Sequence, residues 1–312
     1  CLTEQLQRQA AAGDARAQCE LGGMMLVGRG APYLPQEGLR LIEAATARND
    51  TGALQLSAVL TALGVGRPQS WTEAVQLVAR AADLGDEQAQ GQIAILGDPA
   101  RFEITQWFEP AKAHQRHDAP RVLTVSNFLP KRACDWIIAR SRSRLEAARV
   151  KNPEQGGSSI EFNRSNTGTG FSVLDSDLIL ELANTRVAAT GALARSQQEP
   201  TNVLHYDPGQ EFQPHYDFID PAETHFAEEV RRTGQRVLTA LIYLNDDFEG
   251  GETDFPRLNW RFKGKAGEAL FFWNTAANGA LEHNALHAGL PPKRGEKWIY
   301  SKWVRDRALP LV

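Results

Sequence analysis

The spacing of apolar residues divides the chain into two parts with different periodicities. Over residues 1–97, Ala and Leu recur at helical spacings. Beyond residue 200, apolar and polar positions alternate in short runs rich in β-branched and aromatic residues. The hydrophobic pattern therefore predicts an α-helical part followed by a strand-rich part.

The helical part contains an internal repeat. A Gly-Asp or Asn-Asp pair, followed three residues after its Asp by Ala, begins at positions 13, 49 and 85, so that both steps are 36 residues. Gly or Asn is typical of the end of a helix, and the Asp that follows is a typical N-cap of the next one. We therefore expect antiparallel helix pairs that stack into a short solenoid over residues 1–97.

The segments Ala10–Gly22 and Arg80–Ala94 resemble the Sel-like repeats of the tetratricopeptide-like superfamily. The middle unit is degenerate, because Asn49 stands where that family prefers Gly. Such a solenoid either docks a protein or peptide on its concave surface or stabilises the domain that follows, and both roles stay open at this point.

After the repeats, Gly97-Asp98-Pro99 ends the helical pattern, and residues 98–120 are predicted to be a linker. Residues 121–312 are predicted to form one domain with a helix over Lys131–Ala148 and a second helix after Asp175. Five strands are predicted at Thr201–Tyr206, Gln213–Ile219, Arg236–Leu244, Gly267–Trp273 and Lys297–Val304. Many short strands behind two helices favour a jelly roll, so the expected fold class is a two-domain α+β protein with an N-terminal helical solenoid.

Composition narrows the class of function. The 312 residues carry a net charge of −4, so no basic bias indicates nucleic acid or an anionic membrane surface as a partner. No apolar run approaches the ~20 residues that cross a bilayer. The three cysteines are odd in number and lack C-x-x-C spacing, which favours a reducing compartment. Since no signal peptide is recognisable, we expect a cytoplasmic protein.

Two His-x-Asp pairs are candidates for a metal site. On a strand, the first and third residues of such a pair share one face, and a distant His would complete the facial triad of non-haem Fe(II) oxygenases. The pair His205 and Asp207 precedes Pro208-Gly209, a turn signal, whereas His215 and Asp217 lie in a run that continues as Phe218-Ile219. The pattern therefore favours His215 and Asp217, with the other pair as the alternative.

The third ligand is expected near a later strand. His287 is favoured over His283 because Lys297 follows ten residues later, at the start of a predicted strand. A buried lysine can bind the second carboxylate of a dicarboxylic cosubstrate. Thr239 and Tyr243 share a face of another predicted strand, and with Tyr206 they offer hydroxyl groups to the same pocket.

Five ordered segments resemble the prolyl 4-hydroxylase branch of the 2-oxoglutarate/Fe(II) oxygenases. They are Tyr206–Asp217, Thr239–Asp246, Gly250–Pro256, Gly267–Trp273 and Leu286–Trp303. The resemblance implies a double-stranded β-helix over residues 121–312, with His215, Asp217 and His287 as Fe(II) ligands. It further implies that Lys297 binds the distal carboxylate of 2-oxoglutarate, with Tyr206 and Tyr243 as supporting hydrogen-bond donors.

On the substrate side, the resemblance places Arg164, and we expect Trp303 near the entrance. The implied reaction is hydroxylation of an unactivated C–H bond by O₂ and 2-oxoglutarate, with ascorbate as reductant, on a proline residue of a peptide or protein. A free cyclic imino acid or another small molecule is the alternative substrate. A catalytically silent scaffold that only binds a partner is the alternative of a different class.

Overall fold

The structure is a computed structural model that describes residues 2–147, 150–152, 157–159 and 164–311. The described residues divide into two compact units. The first contains the chain up to Gln106 together with Ser172–Leu182 and Leu311. The second contains the described parts of Trp107–Phe171 and Ala183–Pro310.

The first unit is built from helix pairs. Its described helices are α1 (Leu2–Ala11), α2 (Ala15–Val27), α3 (Pro35–Ala47), α4 (Thr51–Leu63), α5 (Trp71–Asp83) and α6 (Glu87–Leu96). Asp14, Asp50 and Asp86 each accept a hydrogen bond from the backbone N–H three residues on, at 2.7, 2.8 and 2.9 Å. The residue before each Asp has a φ of 88°, 63° and 90°, respectively, which Gly and Asn tolerate best. The repeat predicted from the sequence is confirmed.

Residues from later in the chain complete the core of this first unit. Val173 is buried in a cluster with Ile42, Val59 and other apolar side chains of α2 to α4. The backbone N–H of Leu178 donates to Oε1 of Gln92 in α6 at 3.0 Å. Part of the helical surface therefore packs against the protein's own segment Ser172–Leu182.

The second unit is rich in strands. Its described helices, two of which begin in residues of the first unit, are α7 (Thr105–Phe108), α8 (Lys131–Arg142), α9 (Leu178–Gly191) and α10 (Thr224–Thr233). Its described strands are β1 (His114–Asp118), β2 (Arg121–Val125), β3 (Glu146–Ala147), β4 (Val150–Asn152), β5 (Gly157–Ser159), β6 (Thr167–Phe171), β7 (Thr201–Tyr206), β8 (Phe212–His215), β9 (Arg236–Tyr243), β10 (Glu249–Gly250), β11 (Thr253–Phe255), β12 (Trp260–Phe262), β13 (Ala269–Trp273), β14 (His287–Gly289), β15 (Pro292–Arg294) and β16 (Lys297–Arg305).

Two antiparallel sheets form the jelly roll. The large sheet has the order β1-β2-β13-β9-β16-β7-β6-β3, and the small sheet has the order β12-β11-β14-β8. Apolar side chains of both sheets meet in one buried cluster, which includes Leu241, Leu270, Phe272 and Ile299 from the large sheet and Phe255 from the small one. The two-domain α+β fold class with a helical solenoid and a jelly roll is confirmed.

The structure differs from the expectations at three boundaries. Within the predicted linker, residues 114–118 form β1, which pairs with β2 at the edge of the large sheet. Its exposed, polar residues carry no hydrophobic alternation because this strand lies at an edge. The helix predicted to reach Ala148 ends at Arg142, since residues 146–147 pair with β6 as β3, and Ala148 itself lies outside the described residues. The strand predicted to reach Ile219 ends at His215.

None of the described helices combines the length and the apolar character needed to span a bilayer.

Candidate metal centre and its pocket

Three side chains at the neighbouring strands β8 and β14 of the small sheet meet at one point. His215 ends β8, His287 begins β14, and the two residues are directly paired across these strands. Asp217 follows β8 by two residues. Its Oδ1 lies 3.6 Å from Nε2 of His215, and its Oδ2 lies 3.5 Å from Nε2 of His287. In the described part of the chain, this is the one group of His, Cys, Asp or Glu with the geometry of a metal site.

Backbone carbonyls fix which nitrogen of each imidazole faces the centre. Nδ1 of His215 lies 2.8 Å from the carbonyl oxygen of Gln213, and Nδ1 of His287 lies 3.0 Å from that of Ala285. In the neutral rings, Nδ1–H donates to these oxygens, which leaves the lone pair of each Nε2 directed at the shared point. Burial lowers the pKa of His215 to about 3, with a further contribution from His287, so this ring is neutral near pH 7.

The carboxylate is oriented from the large sheet. Thr239 of β9 donates its hydroxyl hydrogen to Oδ2 of Asp217 at 2.7 Å, and Nδ2 of Asn274 donates to the Thr239 hydroxyl at 2.9 Å. Although burial alone would raise the pKa of Asp217, the neighbouring His287 and His215 lower it below its usual range. Two imidazoles and one ionised carboxylate form a donor set that fits non-haem Fe(II).

A pocket extends from these three residues and is called the central pocket here; its empty space, part of which is open to solvent, is about 440 Å³. Alternate residues of β16 (Lys297, Ile299, Ser301 and Trp303) follow its wall, because side chains two apart on a strand share a face. At ~3.4 Å per residue, this row spans about 20 Å from Lys297 to Trp303.

Lys297 is the buried cation of this pocket. Its side chain is 1% exposed, and among the described residues no carboxylate forms an ion pair with its ammonium group. Nζ lies 4.8 Å from the ring centroid of Tyr206 and 5.6 Å from that of Tyr243. Burial lowers the pKa of Lys297 to about 7, and the negative charge of Glu252 partly opposes this decrease. A buried ammonium group of this kind is suited to bind the carboxylate of a ligand.

Comparisons with known proteins agree with this geometry. The profile of the 2OG-Fe(II) oxygenase superfamily matches residues 201–305, a range that includes the three converging residues and Lys297. Probable prolyl 4-hydroxylase 3 of Arabidopsis thaliana is 33% identical over 205 residues, which cover 59% of this chain and 69% of the relative.

The chain belongs to the prolyl 4-hydroxylase family of 2-oxoglutarate/Fe(II) oxygenases.

Other known proteins are similar to parts of this oxygenase. Prolyl 4-hydroxylase 5 of Arabidopsis thaliana is 29% identical over 239 residues, which cover 70% of this chain and 74% of the relative. The viral collagen prolyl hydroxylase of Paramecium Bursaria Chlorella virus-1, solved as a 2OG complex, is 27% identical with a TM-score of 0.47, covering 59% of this chain and 95% of that one. A Sel1 repeat protein from Oxalobacter formigenes is 27% identical with a TM-score of 0.28, covering 30% of this chain and 70% of that one.

The structure places the alternative ligands of the oxygenase away from the centre. His205 lies with Nδ1 2.9 Å from the hydroxyl of Thr167 and Nε2 2.9 Å from Glu296, and the side chain of Asp207 is 61% exposed. His283 makes edge contacts with the rings of Tyr216 and Phe218. Neither histidine belongs to the group around Asp217.

The three predicted hydroxyl groups have different surroundings. Tyr206 lines the central pocket, and burial raises its pKa to about 12, so it is a neutral donor. The Tyr243 hydroxyl lies 2.8 Å from that of Thr253 and donates to the carbonyl oxygen of Phe262 at 2.9 Å. Among the described residues, neither Tyr243 nor Thr239 lines the pocket. The hydroxyl of Tyr243 is engaged in the core, and that of Thr239 binds Asp217.

A second cavity, which we call the side groove, adjoins the central pocket. It has about 1100 Å³ of open space and shares Arg164, Leu204 and Trp303 with the central pocket. The two residues predicted on the substrate side thus both lie where the cavities meet. The guanidinium of Arg164 stacks on the ring of Phe212 at 4.3 Å and its Nε donates to Asn166 at 3.1 Å.

Several residues of the site were not predicted from the sequence. Phe212 stacks on the ring of His215 with centroids 3.5 Å apart, and Phe272 packs against His287 at 4.6 Å. Asn274 donates a hydrogen bond to the hydroxyl of Thr239. Phe212 and Phe272 are apolar strand residues like many others in the chain, so no sequence signal distinguishes them. Asn274 did carry a signal, because it is a polar residue directly after the apolar strand β13.

Proposed function

We propose that the protein hydroxylates a prolyl residue within a peptide or protein, using O₂ and 2-oxoglutarate. The observation that carries this proposal is the convergence of His215, Asp217 and His287 at a pocket whose wall also holds the buried ammonium group of Lys297. Relatives that are 33% and 29% identical are named probable prolyl 4-hydroxylase 3 and prolyl 4-hydroxylase 5.

Each residue has a part in this proposal. The two Nε2 atoms and the Asp217 carboxylate would hold Fe(II), and Lys297 would bind the distal carboxylate of 2-oxoglutarate. When bound, Fe(II) and 2-oxoglutarate supply the oxidising power that inserts oxygen from O₂ into a C–H bond. Tyr206 would donate a hydrogen bond to the cosubstrate, and the apolar walls exclude bulk water from the reacting groups.

The side groove supports a peptide as the substrate. It continues from the central pocket and is larger than a single amino acid requires. Gly168 and Gly170 of β6 line it without side chains, which leaves room for an extended backbone. A free cyclic imino acid would occupy the central pocket and leave the side groove unused.

Anaerobic titration with Fe(II) and 2-oxoglutarate tests the chemistry. The chelate should give a visible charge-transfer band, and proline-containing peptides should stimulate succinate formation in air. Absence of the band would refute the Fe(II) and cosubstrate assignment. A band without succinate would favour the catalytically silent scaffold.

A groove variant tests the substrate class. Gly170→Leu places a side chain in the side groove, where the nearest atom to an added Cβ is Oδ1 of Asn202 at 3.7 Å, an ordinary contact. This variant should raise KM for a peptide by about tenfold and leave KM for 2-oxoglutarate unchanged. Turnover of free proline at the rate of the peptide, with no effect of Gly170→Leu, would support the small-molecule alternative.

Three further points belong to the proposal. The resemblance favours ascorbate as the reductant, and a cytoplasmic location stays a prediction. Docking of a protein on the helical repeats also stays a prediction, for a surface that is partly covered by the segment Ser172–Leu182.

A further inference from the structure

The carboxamide of Asn245 extends the pairing of two strands by one step. The backbone pairing between β9 and β16 ends where the N–H of Leu244 donates to the carbonyl oxygen of Trp298 at 2.9 Å. Beyond this point, Oδ1 of Asn245 accepts a hydrogen bond from the N–H of Trp298 at 2.8 Å, and its Nδ2 donates to the carbonyl oxygen of Glu296 at 2.7 Å. The side chain therefore takes the place of a peptide group on the neighbouring strand.

The two backbone groups that Asn245 binds lie on either side of Lys297. At the other edge of β16, Lys297 itself pairs with Tyr206 of β7. The chain is thus held from both sides at the residue whose side chain lines the central pocket. Asn245 does not line this pocket, so in the proposed function it contacts neither the metal ion nor the cosubstrate.

The carboxylate of Glu296 makes further contacts outside the central pocket. It accepts hydrogen bonds from Nη1 and Nη2 of Arg142 and from Nε1 of Trp298, each at 3.1 Å, and Nε2 of His205 lies 2.9 Å away. Although burial alone would raise the pKa of Glu296, the hydrogen bonds from Arg142, His205 and Trp298 lower it below its usual range. The residue before Lys297 is therefore fixed by its side chain as well as by its carbonyl group.

The buried charge of Lys297 gives these contacts their significance. Its side chain is 1% exposed, and among the described residues no carboxylate forms an ion pair with it. Because an unpaired charge is unfavourable away from water, a loosely held strand end would shift until the ammonium group met solvent. The hydrogen bonds of Asn245 oppose this shift while the pocket holds no cosubstrate.

We propose that Asn245 is a positioning residue that holds the backbone on both sides of Lys297, so that the ammonium group stays where the distal carboxylate of 2-oxoglutarate binds. Loss of the carboxamide weakens the binding of 2-oxoglutarate. It does not change the binding of Fe(II), because the metal ligands lie at β8 and β14 of the other sheet. This inference rests on the proposed function, in which Lys297 binds that carboxylate.

The first test measures affinity for 2-oxoglutarate from the charge-transfer band of the anaerobic Fe(II) complex. Asn245→Leu keeps the size of the side chain but removes its hydrogen bonds, and the dissociation constant should rise about tenfold. The affinity for Fe(II) alone should stay within twofold of wild type. Asn245→Ala removes the same bonds without adding apolar atoms, so it carries the test if the Leu variant does not fold.

Gln197→Met is the matched control. The Oε1 of Gln197 accepts a hydrogen bond from the N–H of Ala194 at 2.8 Å, and its Nε2 donates to the carbonyl oxygen of Arg305 at 2.9 Å. These are the same two kinds of bond, made at the opposite end of β16 from Lys297. Gln197→Met should change the affinity for 2-oxoglutarate by less than twofold, which separates the position of Asn245 from a general loss of hydrogen bonds at a strand end.

The second test asks whether Asn245 acts through Lys297. In a Lys297→Met background, Asn245→Leu should cause no further loss of affinity for 2-oxoglutarate, because the ammonium group that it positions is absent. Another readout needs no cosubstrate. Urea unfolding at pH 7 measures the stability gained by Lys297→Met, and this gain should be smaller in the Asn245→Leu background, where a lysine that is no longer held reaches water.

The outcomes are distinguishable. An affinity of Asn245→Leu for 2-oxoglutarate within twofold of wild type overturns the inference, as does a full additional loss in the Lys297→Met background. Equal losses in Asn245→Leu and Gln197→Met would show a structural role only and also overturn it.

Failure of the proposed function gives a different result. If no peptide stimulates succinate formation, the proposed substrate class fails, and the binding measurements still decide the role of Asn245. If wild type gives no charge-transfer band, the cosubstrate assignment fails and the unfolding measurement decides. A smaller gain from Lys297→Met in the Asn245→Leu background then supports the positioning of Lys297, and an equal gain in both backgrounds overturns it.

Discussion

Without cosubstrate, the buried charge of Lys297 lowers the free energy of unfolding, and replacing Lys297 by Met removes this charge. The side chain is 1% exposed, and the described residues supply no carboxylate to pair with it. Burial lowers its pKa to about 7. An unfolded lysine has a pKa of ~10.4, so between these two values the unfolded chain binds more protons than the folded one.

The sign and size of the effect follow from this difference. Because the folded-state pKa is depressed, the lysine destabilises the fold below pH 10, and wild-type stability rises as the pH increases from 7 towards 10. The penalty is about 4 kcal/mol at pH 7 and about 2 kcal/mol at pH 9, from the two pKa values. Lys297→Met should therefore be more stable than wild type by up to these amounts.

Urea unfolding of both proteins at pH 7 and pH 9, without metal or cosubstrate, measures the difference. Lys302→Met is the control, since Lys302 is also 1% exposed but its ammonium group donates hydrogen bonds at 2.9 and 2.6 Å. Loss of these bonds should destabilise the fold. A Lys297→Met protein that is less stable than wild type at pH 7, or equally affected at both pH values, would refute the reasoning.

The same lysine should control the cosubstrate. Lys297→Met should weaken 2-oxoglutarate binding by about a hundredfold or more, because the distal carboxylate then lacks the ammonium group that pairs with it. In wild type, the protonated fraction of Lys297 falls about 50-fold between pH 7 and pH 9, and affinity should fall with it. The charge-transfer band, titrated with 2-oxoglutarate under anaerobic conditions, reports both effects.

Three further predictions concern the ligands and the repeats. His215→Ala should abolish the charge-transfer band, whereas His205→Ala should largely retain it, and the reverse result would identify the other pair as the site. Thr239→Val, which removes the donor to Asp217, should weaken Fe(II) binding about 10- to 100-fold in a metal titration, and unchanged affinity would contradict the orienting role. Asp50→Ala should lower the stability of the helical unit by about 1 kcal/mol, measured by circular dichroism on urea unfolding.

The helical repeats were predictable because their signals are local. The Asp caps and the left-handed residue before each of them act within a few residues of the chain, so a 36-residue period could be read directly. Strand β1 was missed for the opposite reason. Its residues are polar on both faces, and only its pairing with β2 makes it a strand.

The metal site was partly predictable. The turn signal after Asp207 separates the two His-x-Asp pairs within the sequence, and the structure brings His215, Asp217 and His287 together. The reason expected for this pairing, strand alternation that places His215 and Asp217 on one face, is not the one found. The strand ends at His215, and Thr239 orients the carboxylate of Asp217. The Tyr243 hydroxyl shares its face with Thr239 but is engaged with Thr253 and Phe262, which no sequence pattern shows.

By itself, the sequence determined the two-part fold, the repeat period, and a short set of residues able to hold a metal ion and a dicarboxylate. These follow from periodicity and from the chemistry of single side chains, which depend on near neighbours along the chain. Only the tertiary structure decided that the row from Lys297 to Trp303 forms one wall, that Asn274 and Thr239 support Asp217, and that Glu199 and Arg236 lie behind Trp303. Two of those relations, Thr239–Asn274 and Glu199–Arg236, join residues 35 or more positions apart. They exist because antiparallel strands bring distant segments into register.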